Sequence, residues 1–432
     1  MSKTIHSSAP ADTKPFPWLG LITLAAAVFL SITSEMLPTG LLPDMSRTLG
    51  VTESQVGLLV TWFAFTVVIT TAPLTHLTRT LPRHGLVVTV LIVFAISNVL
   101  TALAPSYELV IASRVVGGMA HGLFWAVVGA YAGHLVPKEQ IGRAVSITVA
   151  GGTLAFIFGV PLATAAGQIL GWRQAFALLA VLMLVGAVIV WKCLPPVEHF
   201  GAMQKRVKKA RAAGSADQAA ADQTAVDQAP AEPATADRGI WRDPTMMAVV
   251  LICAITGLTM IGHYTFYTYI APFLIDGLGV SHSLVAPLLF AYGVAGAVGL
   301  LLAGTVFGPR PQLGLVTLVS VCAVSVSILA VFTTNLPVAI AAFVLWGVAF
   351  GGLPAMLQTR LLHTASPRIR DASSAFYTSA FNAGIGGGAL LGASLLDVVG
   401  LDVIPFVYVG ILIASLTLII VSDLVIRRRR LA

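Results

Sequence analysis

Twelve long apolar runs, separated by short polar breaks, make up almost the whole chain. They cover approximately residues 18–42, 55–78, 86–104, 109–135, 144–169 and 175–194; after a polar gap come 245–275, 283–307, 313–333, 336–361, 372–396 and 403–426. Each is long enough to cross a bilayer as a helix, since about 20 residues rising about 1.5 Å each span the roughly 30 Å hydrocarbon core. Runs of this length, rather than ten-residue alternations, predict helices and argue against an outer-membrane barrel. The pattern predicts an all-α membrane protein of twelve transmembrane helices.

Composition agrees with that reading. Of the 432 residues, 57% are hydrophobic and only 10% charged, against roughly 25% charged in an ordinary soluble domain. A soluble protein of this size could not bury so much apolar surface. Forty glycines fit helices that approach closely in lipid. The net charge of +7 raises the question of nucleic-acid partners, but its placement answers it. With the N-terminus in the cytoplasm, 22 of the 25 Lys and Arg residues fall in cytoplasmic segments, against Arg47 and Arg173 outside and Arg114 in the membrane. The positive-inside rule then puts both termini in the cytoplasm, with a bacterial inner membrane and no nucleic acid as surroundings. Cys193, Cys253 and Cys322 lie in or beside apolar runs and read as small buried hydrophobes without disulfide or metal spacing. Met1 to Pro17 is polar and the first run is too long for an h-region, so no cleavable signal peptide is expected.

The breaks define the organisation: a cytoplasmic tail (1–17), a six-helix bundle (18–194), a linker (195–243), a second six-helix bundle (244–426) and a basic cytoplasmic tail (427–432). The linker opens with Lys205, Arg206, Lys208, Lys209 and Arg211 and continues as an Ala/Asp/Gln/Pro tract without aromatics, too poor in apolar mass to fold. The two bundles read as copies. A shift of 229 residues sets Gly50-Val51-Thr52 on Gly279-Val280-Ser281 and Pro43 on Pro272; a shift of 228 sets Gly159 on Gly387. Two parallel six-helix repeats are the plan of a major class of secondary transporters.

Sorting the ionisable side chains by depth leaves a short list. Glu35 alone among the acids lies well inside an apolar run, about 17 residues from the cytoplasmic start of the first helix. Arg114 alone among the bases does so, about five residues into the fourth helix from the outside. A membrane charge costs on the order of 2.5–3.5 kcal/mol, so one acid and one base at similar depth are expected to pair, directly or through a third group. His121 follows Arg114 at i+7, on the same helix face but deeper. His263 neighbours Tyr264, Tyr267 and Tyr269, a run offering hydroxyls and ring faces to a sugar-sized polar ligand. Proton relay and substrate contact are both open for the two histidines. Trp125, Trp346 and Asn382 extend that lining, with core packing the competing reading for both tryptophans. The glycines of GGTLAFIFGVPLATAAG (Gly151–Gly167) and NAGIGGGALLG (Asn382–Gly392) permit close crossings, with a kink at Pro161. No paired carboxylates, HExxH, Walker loop or Ser/His/Asp cluster occurs at membrane depth. That argues against an enzyme and against ATP as the energy source, and no cofactor or metal is expected.

Several of these stretches resemble the major facilitator superfamily, in its drug:proton antiporter group and most closely its sugar-efflux and arabinose-efflux permease branch. They are SEMLPTGLLPDM in the first helix, SRVVGGMAHGLFWAV in the fourth, FGVPLATAAGQILGWRQAF through the fifth and GHYTFYTYIAPFL in the seventh. The resemblance implies two pseudo-symmetric bundles and proton-coupled export, with Glu35 and Arg114 as the coupling pair and His121, His263 and Tyr267 as cavity residues. It gives Arg114, Gly118 and Gly122 the roles of the family's arginine–glycine motif, and Gly159 and Pro161 those of its fifth-helix antiporter motif. One stretch departs: in PLTHLTRTLPRHG, His76 stands near where an aspartate is expected and only Arg79 and Arg83 remain basic. The expectation is a monomeric exporter of a sugar or sugar-like molecule working by alternating access with protons and substrate as partners. A drug or nucleoside exporter, or a facilitator without proton coupling, is the alternative.

Overall fold

In lipid a main chain must satisfy its own hydrogen bonds, and helices do so segment by segment. The computed structural model describes residues 16–137, 140–196 and 240–431, so most of the expected linker and N-terminal tail lies outside the described residues. Six helices precede the linker: α1 (Trp18–Gly40), α2 (Glu53–Leu77), α3 (Arg83–Leu103), α4 (Tyr107–His134), α5 and α6 (Trp172–Cys193). Helix α5 runs Ile141–Leu154, passes through a π-turn at Ala155–Gly159 and resumes as Val160–Leu170. Six follow it: α7 (Met246–Tyr267), α8 (Val285–Thr305), α9 (Pro311–Val331), α10 (Leu336–Thr364), α11 (Arg370–Val399) and α12 (Ile404–Leu431). Among the described residues, twelve helical spans are long and apolar enough to cross a membrane. Threonines inside them are satisfied locally, as where Thr66 Oγ1 donates to the Trp62 carbonyl at 2.7 Å and Thr256 Oγ1 to that of Ile252 at 2.8 Å,.

Two boundaries differ from expectation for a physical reason. The seventh apolar run stops as a regular helix at Tyr267, because Pro272 has no N–H for the Thr268 carbonyl; a short turn (Ile270–Pro272) and a π-turn (Phe273–Gly277) finish it,. The last helix continues through Arg427–Arg430 to Leu431, where a separate tail was expected.

The repeat is written into the backbone. Among the described residues four glycines have positive φ: Gly50 (66°), Gly171 (100°), Gly279 (67°) and Gly400 (85°). They form two pairs, Gly50 with Gly279 and Gly171 with Gly400, each 229 residues apart. At each, only glycine takes the left-handed turn cheaply, so both bundles reverse direction after matching helices.

Between the halves, α2 packs on α11 and α5 on α8. Thr61 Oγ1 donates to the Gly386 carbonyl at 3.0 Å. In the α5 π-turn, the Val160 N–H bonds Ala155 one register further back than in an α-helix, and Pro161 offers no N–H to the next carbonyl,. That Phe156 carbonyl faces Gly293 of α8, where a side chain would collide with backbone. Further polar contacts across the halves gather at the face opposite the one where α1 begins and α12 ends. There His282 Nε2 lies 2.8 Å from Asp44 Oδ2, and Gln168 Nε2 donates to the His282 carbonyl at 2.8 Å. We call this the far face. Towards the near face α2 has no buried residue from Val68 to Leu77, so the halves part there. The start of the second bundle is pinned at the near face by Asp243, which accepts from the Thr245 N–H (2.9 Å), Thr245 Oγ1 (2.6 Å) and Ser366 Oγ (2.7 Å). These bonds, with Arg368 adding to them, hold its carboxyl below the usual range.

Replacing Gly293 with Val forces the α5–α8 crossing apart. It should lower folding stability by about 1–3 kcal/mol, read as an earlier thermal transition in detergent. Gly304→Ala on the same helix, where an added Cβ meets nothing, should leave that transition in place.

Candidate functional site

Proline at position 38 prepares the site. Lacking an N–H, Pro38 leaves the Ser34 carbonyl of α1 without its helical partner,. Arg114 of α4 supplies one: Nη1 donates to the Ser34 carbonyl at 3.0 Å and Nη2 to the Glu35 carbonyl at 2.8 Å. The guanidinium lies 4.3 Å above the Phe63 ring centre, a cation–π contact that favours a planar cation. The expected pair of Glu35 and Arg114 therefore meets through the α1 main chain, while the Glu35 carboxylate turns elsewhere. Its Oε2 lies 3.6 Å from His121 Nε2, and His121 Nδ1 is 2.9 Å from Ser31 Oγ. His121 is thus hydrogen-bonded through Nδ1 with Nε2 turned towards the carboxylate, and the ring stands edge-on to Phe63 and Phe94. Glu35 and Arg114 are 4% and 2% exposed, so their charges interact without the screening of bulk water.

The second half answers with aromatic rings. His263 of α7 stacks on Phe350, 3.3 Å between centres, and on Tyr267 at 5.0 Å, with the Tyr264 edge also at 5.0 Å. Trp346 and Tyr408 close the box, the indole N–H donating to the Tyr408 hydroxyl at 3.3 Å. Tyr292 of α8 packs on Tyr267 and Trp346. Two polar atoms in this box, His263 Nδ1 and the Tyr292 hydroxyl, are buried without a hydrogen-bond partner. Leaving such a group unpaired costs about 1–3 kcal/mol, a cost that a ligand hydroxyl could remove. The 229-residue offset maps Glu35 onto Tyr264 and Ser34 onto His263. Acid and aromatic box thus occupy equivalent places on α1 and α7, with the Tyr264 hydroxyl in electrostatic reach of Glu35.

The remaining sequence candidates divide. Trp125, half-buried, lies 6.1 Å from the His121 ring. Asn382 stands apart on α11, its Nδ2 donating to the Thr378 carbonyl at 3.0 Å. Gly118 lets α4 approach α2, since a Cβ there would sit 2.7 Å from the Phe63 carbonyl; Gly122 does the same against Thr71, and Gly159 brings α5 against Thr33. Sequence reading missed Ser31, Tyr292 and Tyr408, single polar groups in apolar runs with no local pattern to mark them. It also counted Arg360, at the end of the 336–361 run, among the cytoplasmic basic residues. Helix α10 extends past it, and the side chain is buried, with Nη2 donating to Ser422 Oγ at 3.0 Å and lying 3.8 Å from Asp423.

A family model described as Major Facilitator Superfamily matches residues 24–384 and 253–430. The chain belongs to the major facilitator superfamily. It is a multi-pass membrane transporter and not an enzyme. A "Probable sugar efflux transporter" of Pasteurella multocida is 27% identical over 394 residues, covering 90% of this chain and 87% of that protein. One of Helicobacter pylori is 28% identical over 393 residues, covering 91% and 92%. Among solved structures, a bacterial homologue of the human lysosomal transporter Spinster, inward-facing and occupied, matches with a TM-score of 0.70 at 17% identity, covering 95% and 97%. A D-xylose–proton symporter matches with a TM-score of 0.70 at 15% identity, covering 93% and 97%. These two likenesses bear on the fold alone.

Arg114→Lys keeps the charge but loses the fork that bridges two carbonyls. One main-chain acceptor of α1 is left bare, so stability should fall by about 1–3 kcal/mol in a thermal melt. Tyr292→Phe should act oppositely on the empty protein. Removing an unpaired hydroxyl leaves that melt unchanged or slightly raised, while weakening binding of a hydroxylated ligand about tenfold, by equilibrium binding of labelled lactose or L-arabinose.

Proposed function

We propose that this transporter exports a sugar or sugar-like molecule across the bacterial inner membrane in exchange for protons. The observation that carries the reading is the Glu35 carboxylate: buried, beside His121, and within electrostatic reach of Tyr264 in an aromatic box that holds two unpaired polar atoms. The names of its relatives in Pasteurella and Helicobacter support export of a sugar. The near face is the cytoplasmic one, because it carries the basic loops,. The described arrangement, joined at the far face, is then the one that receives substrate from inside.

The two histidines take different parts in this reading. His121 lies between Ser31, to which it is hydrogen-bonded, and the Glu35 carboxylate 3.6 Å away, and so suits proton relay,. His263 has an unpaired Nδ1 among ring faces and so suits contact with a substrate hydroxyl and the apolar face of a pyranose ring,. A carboxyl enclosed by protein holds a proton more readily than one opened to water beside a cation. Rocking of the halves therefore alternates proton capture from outside with release inside, and substrate moves the other way. The energy suffices: one charge crossing about 100 mV yields about 2.3 kcal/mol, enough for a roughly fortyfold gradient.

Proteoliposomes with an imposed proton gradient test this. Glu35→Gln should abolish uphill efflux of labelled lactose or L-arabinose while preserving substrate exchange between equal pools. Undiminished uphill efflux by that variant would overturn the assignment. Efflux of antibiotics or nucleosides but no sugars would favour the drug or nucleoside reading, and transport without accompanying proton movement would favour a facilitator.

A further inference from the structure

At the far face both halves carry an excess of acid. The second half contributes Asp276, Asp397 and Asp402 there, with His282 its one ionisable base among the described residues of that face. The first contributes Asp44, Glu53 and Glu108 against Arg47 and Arg173. Like charges on two bodies that must meet oppose closure, so contacts between them matter.

Two such contacts are in place. His282, on the turn that follows left-handed Gly279, sets Nε2 2.8 Å from Asp44 Oδ2, and its carbonyl accepts from Gln168 of α5. The other oxygen of Asp44 receives Arg47 Nη2 at 2.5 Å. Beside this, Glu53 at the start of α2 lies within electrostatic reach of the like-charged Asp276 at the end of α7, with Arg47 also in reach. The titratable and charged groups around the junction are Asp44, Arg47, Glu53 and Tyr107 from one half and His282, Asp276, Tyr269 and Asp397 from the other; Gln168 is neutral.

We propose that these residues form a proton-operated latch that holds the far face shut in acid and releases it in alkali. Both contacts run the same way. An imidazole gains full ionic attraction to a carboxylate only when protonated, so that contribution is present at low pH and is lost as the ring deprotonates. Two facing carboxylates repel only when both are ionised, so their opposition to closure is absent at low pH and grows as pH rises. The device is separate from the buried Glu35. It lets the pH at the far face set how often that face opens, whichever molecule is carried and in whichever direction.

The test uses the full chain in lipid nanodiscs, with native cysteines replaced and spin labels at Leu103→Cys and Val398→Cys, far-face positions away from the latch. Electron–electron distance distributions are recorded from pH 8.5 to 5.5. The ratio of short to long distances should rise about two- to fivefold on acidification, the scale of an exposed ion pair. His282→Gln should remove at least half of that response, and His282→Gln with Glu53→Gln nearly all. His282→Lys should favour the short-distance population and keep only the smaller pH response that Glu53 and Asp276 supply, and Glu35→Gln should respond like the parent. A flat profile in the parent overturns the latch, as does a full response in His282→Gln. A response that disappears in Glu35→Gln but survives in His282→Gln assigns the pH dependence to the buried acid instead and equally overturns it.

Discussion

The centre of this molecule depends on a peptide carbonyl that a proline leaves bare. Pro38 removes the internal partner of Ser34, and the Arg114 guanidinium takes its place while also holding the next carbonyl. A buried cation needs acceptors, and a broken helix needs donors, so each defect is the remedy of the other. With Arg114 occupied by main chain, the Glu35 side chain is left to His121. A carboxylate clamped by a bidentate guanidinium would be hard to protonate; one that meets only a histidine edge keeps that freedom.

The two halves share a backbone plan but not a chemistry. Matching glycine turns and a constant offset show one ancestral arrangement of six helices used twice. At the equivalent points on α1 and α7 one copy carries Ser34-Glu35 and the other His263-Tyr264. Ionic chemistry sits on one side of the junction and ring stacking on the other. In the proposed exchange, the two halves can then bind two unlike things without either half having to bind both.

Much of this was legible in the chain itself. Apolar run length gives twelve spans, because the bilayer sets a minimum that few other structures need. Glu35 and Arg114 stand out because lipid makes isolated charges rare. What the sequence hid is the partner of each. That Arg114 reaches carbonyls rather than the carboxylate follows from the proline four residues beyond Ser34, and tertiary geometry alone fixes where the arm lands. Tyr292 and Tyr408 arrive from α8 and α12 with no spacing to link them to His263. Arg360 stands at the end of its apolar run, and its burial was not legible because Ser422 and Asp423 on α12 supply the partners that let it stay buried.

The stretch of α2 from Val68 to Leu77, where no residue is fully buried, has a geometric consequence. Ten helical residues at about 1.5 Å each make a strip about 15 Å long, about half the thickness of the hydrocarbon core. In the proposed alternation, drawing the near-face ends together would close that strip like a zip fastener. Its length would then fix how deep the new seal can run, and hence how much of the membrane's thickness separates the carried molecule from the side it has just left.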